Sequence, residues 1–142
     1  MSGKAAFNKY KQTSVLSASR EKLLLMLYDG AIKFLKRAIV AAEEKKIAER
    51  ATYIGKVYDI ILELNNSLDH KVGGEVALQL EQLYNFMTEQ LGKANVSGES
   101  EPLKNVLRVL ETLNEGWVQA VEEIKTQGKS EIVFENKRSG EK

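Results

Sequence analysis

The chain has 142 residues, the size of a single domain, with 43% apolar and 29% charged residues. It holds no Cys and one His, His70, which excludes a disulfide scaffold, a Cys-ligated zinc site and a thiol nucleophile. Basic and acidic residues nearly cancel, 21 against 20, so the strong positive excess of a nucleic-acid binder is absent. One Pro, Pro102, against ten Gly favours long uninterrupted helices.

The first residues lack the apolar run of a signal peptide, and the longest purely apolar stretch, 23–27, is too short to span a bilayer. The expected location is therefore the cytoplasm. Residues 1–18 show no sustained period and read as an N-terminal arm with apolar anchors at Phe7, Tyr10, Val15 and Leu16. The first 22 residues carry five basic and one acidic side chain. Ser19 is a candidate N-cap, with Glu21 in the first turn facing the positive end of the helix dipole.

A first helix follows on Leu24, Leu27, Tyr28, Ala31, Phe34, Leu35, Ala38 and Ala42, which keep the i, i+3, i+4, i+7 spacing. A second carries Ile47, Ala51, Ile54, Val57, Ile61, Leu64 and Leu68. No Gly or Pro separates them. One helix through residue 69 would be roughly 75 Å long, too long for a domain of this size, so a turn is placed at Glu44-Lys45-Lys46. Gly73-Gly74 reads as a stop, and a third helix carries Val76, Leu80, Leu83, Tyr84, Met87, Leu91 and Ala94. Residues 95–101 are a loop by composition. Pro102 opens a fourth helix, where its missing N–H is harmless, and Leu103, Val106, Leu107, Leu110, Leu113, Trp117, Val121 and Ile124 form its apolar side. Gly128 ends it, and residues 129–142 form a polar, flexible tail apart from Ile132-Val133-Phe134. The predicted fold is all-α: an antiparallel four-helix bundle over 19–128 with an arm and a tail.

Charge is uneven. Residues 1–71 hold 13 basic and 8 acidic side chains, and 72–142 hold 8 and 12. Complementarity within the bundle accounts for this. No catalytic or metal-ligating set emerges. Bundle di-iron sites use Glu-x-x-His pairs, and the residue three before His70 is Ser67. Gly73-Gly74 lacks the Lys-Ser/Thr of a phosphate loop, and His70 reads as a solvated helix-end residue. Neither an enzyme nor a cofactor is expected.

The informative anomaly is the width of the apolar arcs. A bundle helix needs a stripe of about 100°. With Ile54 at 0°, the residues Ile60, Leu64, Val57, Leu68, Ile61, Tyr58 and Leu62 cover roughly 200° of the second helix. The first is as broad, with Ile32, Ile39 and Val40 off the core stripe, whereas the third and fourth are narrower apart from Leu78, Phe86 and Val109. Scattered surface apolar residues are one account. A groove for partner helices is the other. Gly30, Gly55 and Gly116 sit inside helices at a cost of about 1 kcal/mol each relative to Ala, so either bundle packing or a bound segment needs close approach there.

Tyr10, Val15-Leu16-Ser17-Ala18-Ser19, Leu24-Leu25-Met26-Leu27-Tyr28-Asp29-Gly30-Ala31-Ile32 and Ala38 resemble the start of the flagellar secretion chaperone family FliS. Asp59-Ile60-Ile61-Leu62-Glu63-Leu64 with Leu68-Asp69, Leu83-Tyr84 with Met87, Leu91, Ala94 and Asn95, and then Trp117 continue the likeness over about residues 7–120. Arg20 departs from the family's usual Pro, and Ser17 from its Thr. The resemblance implies a cytoplasmic bundle that binds the C-terminal segment of flagellin, prevents premature polymerisation and delivers flagellin to the flagellar type III export gate. It also implies an arm folded over part of the groove, with Phe7, Tyr10 and Leu16 as plugs the client displaces. Tyr10, Ile54, Val57, Tyr58, Ile61 and Leu64 are the expected client contacts, while Tyr28, Tyr84 and Trp117 support the core. The competing readings are a structural homodimer or adaptor whose wide apolar faces pack on each other, and a metalloprotein built on a bundle.

Overall fold

The computed structural model describes residues 20–127. The arm residues Phe7, Tyr10 and Leu16, the cap Ser19, the stop Gly128 and the tail segment Ile132-Val133-Phe134 lie outside the described residues. Four helices run in order: α1 (Arg20–Glu43), α2 (Ile47–Asn66), α3 (His70–Ser97) and α4 (Glu101–Gln127). Each packs on two neighbours, in the cycle α1–α2–α3–α4–α1, with short links between successive helices. This is the all-α antiparallel bundle that the 3.6-residue period predicts.

The turn at 44–46 exists, and its geometry explains why no glycine announced it. The N–H of Lys46 reaches the carbonyl of Ala41 at 2.8 Å, and that of Lys45 reaches Ala42 at 3.2 Å. These two bonds make a Schellman motif, whose left-handed position is filled by Lys45 at φ 59° instead of by Gly. Two other boundaries move. Gly73-Gly74 is not a stop. Helix α2 ends at Asn66, and Asp69 starts α3 by accepting from the N–H groups of Lys71 and Val72, both at 3.1 Å. Gly74 instead kinks α3, at φ 52° and ψ −124°, a conformation open to glycine. The loop expected over 95–101 shrinks to three residues. Helix α3 continues to Ser97 and closes on Gly98 at φ 79°, whose N–H bonds to Ala94 at 2.8 Å.

The core centres on a polar contact across the bundle. The hydroxyls of Tyr28 on α1 and Tyr84 on α3 lie 2.5 Å apart with both side chains buried, and Trp117 on α4 meets Tyr28 edge-on at 6.4 Å. Burial pushes Tyr28 up to about 12 and Tyr84 well above the usual phenol range, because a phenolate there would lose its water. The assignment of these three aromatic residues to core support agrees with their positions. Around them pack Leu27, Leu35, Met87, Leu91, Leu103 and Leu110. Charge asymmetry between the two halves contributes little here. The α1–α4 pairs Lys36–Glu111 and Lys104–Glu43 run in opposite senses and are solvent-exposed.

Candidate cleft between α2 and α3

Helix α2 divides its broad apolar arc into two faces. Ile54, Val57, Ile61 and Leu64, four of the expected client contacts, are buried in the core. An i, i+3, i+4, i+7 stripe is equally the signature of packing inside a bundle, and here the neighbouring helices cover all four side chains. The outer half of the arc is Tyr58 and Leu62, which remain 39% and 37% exposed. Tyr58 is thus the one member of the described set that faces outward.

The distribution among helices also differs from the expectation. Ile32 and Ile39 on α1 are buried, because α1 packs closely on α2 and also on α4. Only Val40 is an exposed large apolar residue of α1. Helix α3, which reads as narrow in sequence, exposes Val72, Val76, Leu78, Phe86 and Val96. The apolar surplus therefore lies on α2 and α3. Phe86 and Leu78 were visible as off-stripe residues; Val72 was hidden by the misplaced start of α3, and Val76, read as part of the packed stripe, is exposed.

On the outside of this helix pair an open cleft of about 620 Å³ is lined by Tyr58, Gln82, Asn85, Phe86, Thr88 and Glu89. Tyr58 contributes from α2, and the other five come from α3. The two helices are tied at both sides of the cleft. Asn65 Nδ2 donates to Asn85 Oδ1 at 3.2 Å, and Arg50 Nη2 donates to the carbonyl of Asn95 at 3.2 Å, placing a cation at the negative end of α3. The lining joins two aromatic side chains, Tyr58 and Phe86, to four polar ones.

The α1–α2 face shows the contrast. Phe34 and Tyr53 stack there with centroids 6.1 Å apart, but Arg37 lies 5.6 Å over Tyr53 and Lys56 lies 5.4 Å over Phe34. The rings are already occupied by cations of the same chain. Among the described residues no group of three or more His, Asp or Glu could hold a metal ion. No described helix is long and apolar enough to cross a membrane. His70 is the exposed first residue of α3, with Nε2 3.8 Å from Glu81.

Among the described residues the fold is a four-helix bundle whose α2–α3 face leaves Tyr58 and Phe86 partly exposed beside an open cleft. Comparison with known proteins gives the family. The profile described as "Flagellar protein FliS" matches residues 3–124. The chain is 35% identical over 117 residues to the flagellar secretion chaperone FliS of Campylobacter jejuni, covering 82% of this chain and 91% of that one. It is 32% identical to that of Vibrio cholerae, covering 82% and 88%, and 34% identical to FliSB of Pseudomonas aeruginosa, covering 79% and 92%. A crystal structure of a bacterial flagellar chaperone superposes with a TM-score of 0.69 at 20% identity, covering 84% of this chain and 97% of that one, which shows the shared fold. The chain belongs to the FliS family of flagellar secretion chaperones.

Proposed function

We propose that this protein binds the C-terminal segment of flagellin in the cytoplasm, keeps it from polymerising and hands it to the flagellar type III export apparatus. Family membership supports the role. The observation that carries the reading is the cleft walled by Tyr58 and Phe86, where large apolar side chains stay in water although the bundle beside them is well packed. A client segment that gains helix on binding would lay its apolar i, i+3, i+4 positions over Tyr58, Leu62 and Phe86. The cost of ordering that segment lowers affinity per unit of buried area, which suits a complex that must release at the export gate. The test is calorimetry and size-exclusion chromatography with a peptide from the C-terminus of the host's flagellin. A soluble one-to-one complex is expected. No heat and no change in elution would overturn the reading.

A further inference from the structure

The end of the bundle where α3 begins carries apolar surface that the α2–α3 cleft does not account for. Helix α3 has 28 residues and α4 has 27, with a three-residue link, so the end of α4 returns to the level of the start of α3. Among the described residues nothing covers Val72 and Val76 at that level, and they are 63% and 51% exposed. Asn105 Nδ2 on α4 donates to Gln90 Oε1 at 3.1 Å, which marks the edge of α3 that meets α4. Leu83 and Val76 stand one and two heptads before Gln90, beyond the kink at Gly74, and so continue that edge. On α4, Glu123 stands about five full turns after Asn105, on the edge that meets α3. Val76 and the partly buried Leu83 thus line an α3–α4 groove flanked by the exposed carboxylates of Glu75 and Glu123.

We infer that this groove is covered by the chain's own C-terminal segment, with Ile132-Val133-Phe134 seated on Val76 and Leu83. Residues 128–142 continue from α4 at the groove's own end. Their reach is sufficient. The five residues from Gln127 to Ile132 span up to about 17 Å, whereas Val76 lies about 9 Å along α3 from its start and packed helix axes are about 10 Å apart. Ile132, Val133 and Phe134 are the only large apolar residues of that segment, and seating them on exposed valine removes both surfaces from water. Lys137 and Arg138 follow them and complement the carboxylates of Glu75 and Glu123 in charge. The tether makes the contact intramolecular, so a patch too small to hold a free partner suffices. The matching family profile ends at residue 124, before the segment begins. The groove lies on the α4 side of α3 and the Tyr58–Phe86 cleft on its α2 side, so the inference stands apart from the client assignment.

The chain has no Cys, so an introduced disulfide reports the contact without interference. Val76→Cys with Phe134→Cys is compared with Leu78→Cys with Phe134→Cys, both in the full chain, dilute and under mild oxidation. Leu78 is exposed to a similar degree, 49%, and stands at nearly the same height, but about 200° around the helix. Both positions on α3 are exposed, so neither substitution disturbs the core. The Val76 pair should close within one chain at least about tenfold faster than the Leu78 pair, because docking raises the local concentration on one side of α3. Adding Ile132→Ser and Val133→Ser to the Val76 pair should remove that advantage. Equal rates for the two pairs overturn the inference, since the tether alone would then explain closure. An advantage that survives the serine substitutions also overturns it, since apolar seating would not be its cause. A disulfide between two chains, read by mass, overturns it in favour of a second copy in the groove.

Discussion

Ile61 and Leu62 are consecutive residues of similar size with opposite fates. Ile61 is fully buried between neighbouring helices, and Leu62 is 37% exposed on the outer side of α2. The same division runs along the helix, with Ile54, Val57 and Leu64 inside and Gly55, Tyr58 and Leu62 outside. The inner face is interchangeable with that of any four-helix bundle. The outer face keeps large apolar side chains partly in water.

The difference is broken most forcefully by placing a charge on each side of it. Ile61→Asp buries a carboxylate with no partner and should cost on the order of 4 kcal/mol or unfold the chain, measured by urea denaturation. Leu62→Asp should change stability by less than about 1 kcal/mol, since its side chain can stay hydrated. Equal losses from the two would erase the distinction.

Alkaline pH probes the inner face next. Tyr28 is held neutral up to about 12 and Tyr84 is shifted in the same direction, both by burial, while unfolded tyrosines ionise near 10. Above pH 10 the unfolded chain releases protons that the folded chain keeps, so stability is complete below pH 10 and falls as pH rises toward 12. For Tyr28 the loss amounts to about 3 kcal/mol across that window. Thermal unfolding followed from pH 8 to 11.5 should show the decline, and replacing both tyrosines by Phe should flatten it.

Tyr58→Ser and Phe86→Ser sharpen the outer face. Each should weaken binding of the flagellin peptide about tenfold, roughly 1.4 kcal/mol, while the melting temperature moves little. The smallest effect belongs to neither face. Lys45→Gly should stabilise the chain by about 0.5–1 kcal/mol in urea denaturation, because Lys45 occupies a left-handed backbone position that glycine adopts without strain. Peptide affinity should not respond.

Much of this architecture was legible in the residues. The helix periods placed all four helices, and length alone required a break between the first two, although its left-handed residue is a lysine. The start of α3 was misread because Gly73-Gly74 looks like punctuation, whereas the side chain of Asp69 does the capping and Gly74 bends a helix already begun. The site was half legible. The breadth of the apolar arc on α2 marked more than a core stripe, and its outer members Tyr58 and Leu62 do stay partly exposed. Ile54, Val57, Ile61 and Leu64 were assigned to the client because periodicity reports which residues share a face and not what covers that face.

Local sequence thus determined the elements, since period, capping and backbone conformation are properties of a few neighbouring residues. It also determined the chemistry that is excluded, since a chain without Cys and with one His lacks the groups for it. Tertiary structure alone decided which arcs are closed. Packing on α2 and α4 closes the breadth of α1, the cations Arg37 and Lys56 cover the aromatic pair on the α1–α2 side, and among the described residues the α2–α3 side stays open. Burial is a relation between segments far apart in the chain, and only their assembly decides which half of an apolar helix the fold covers.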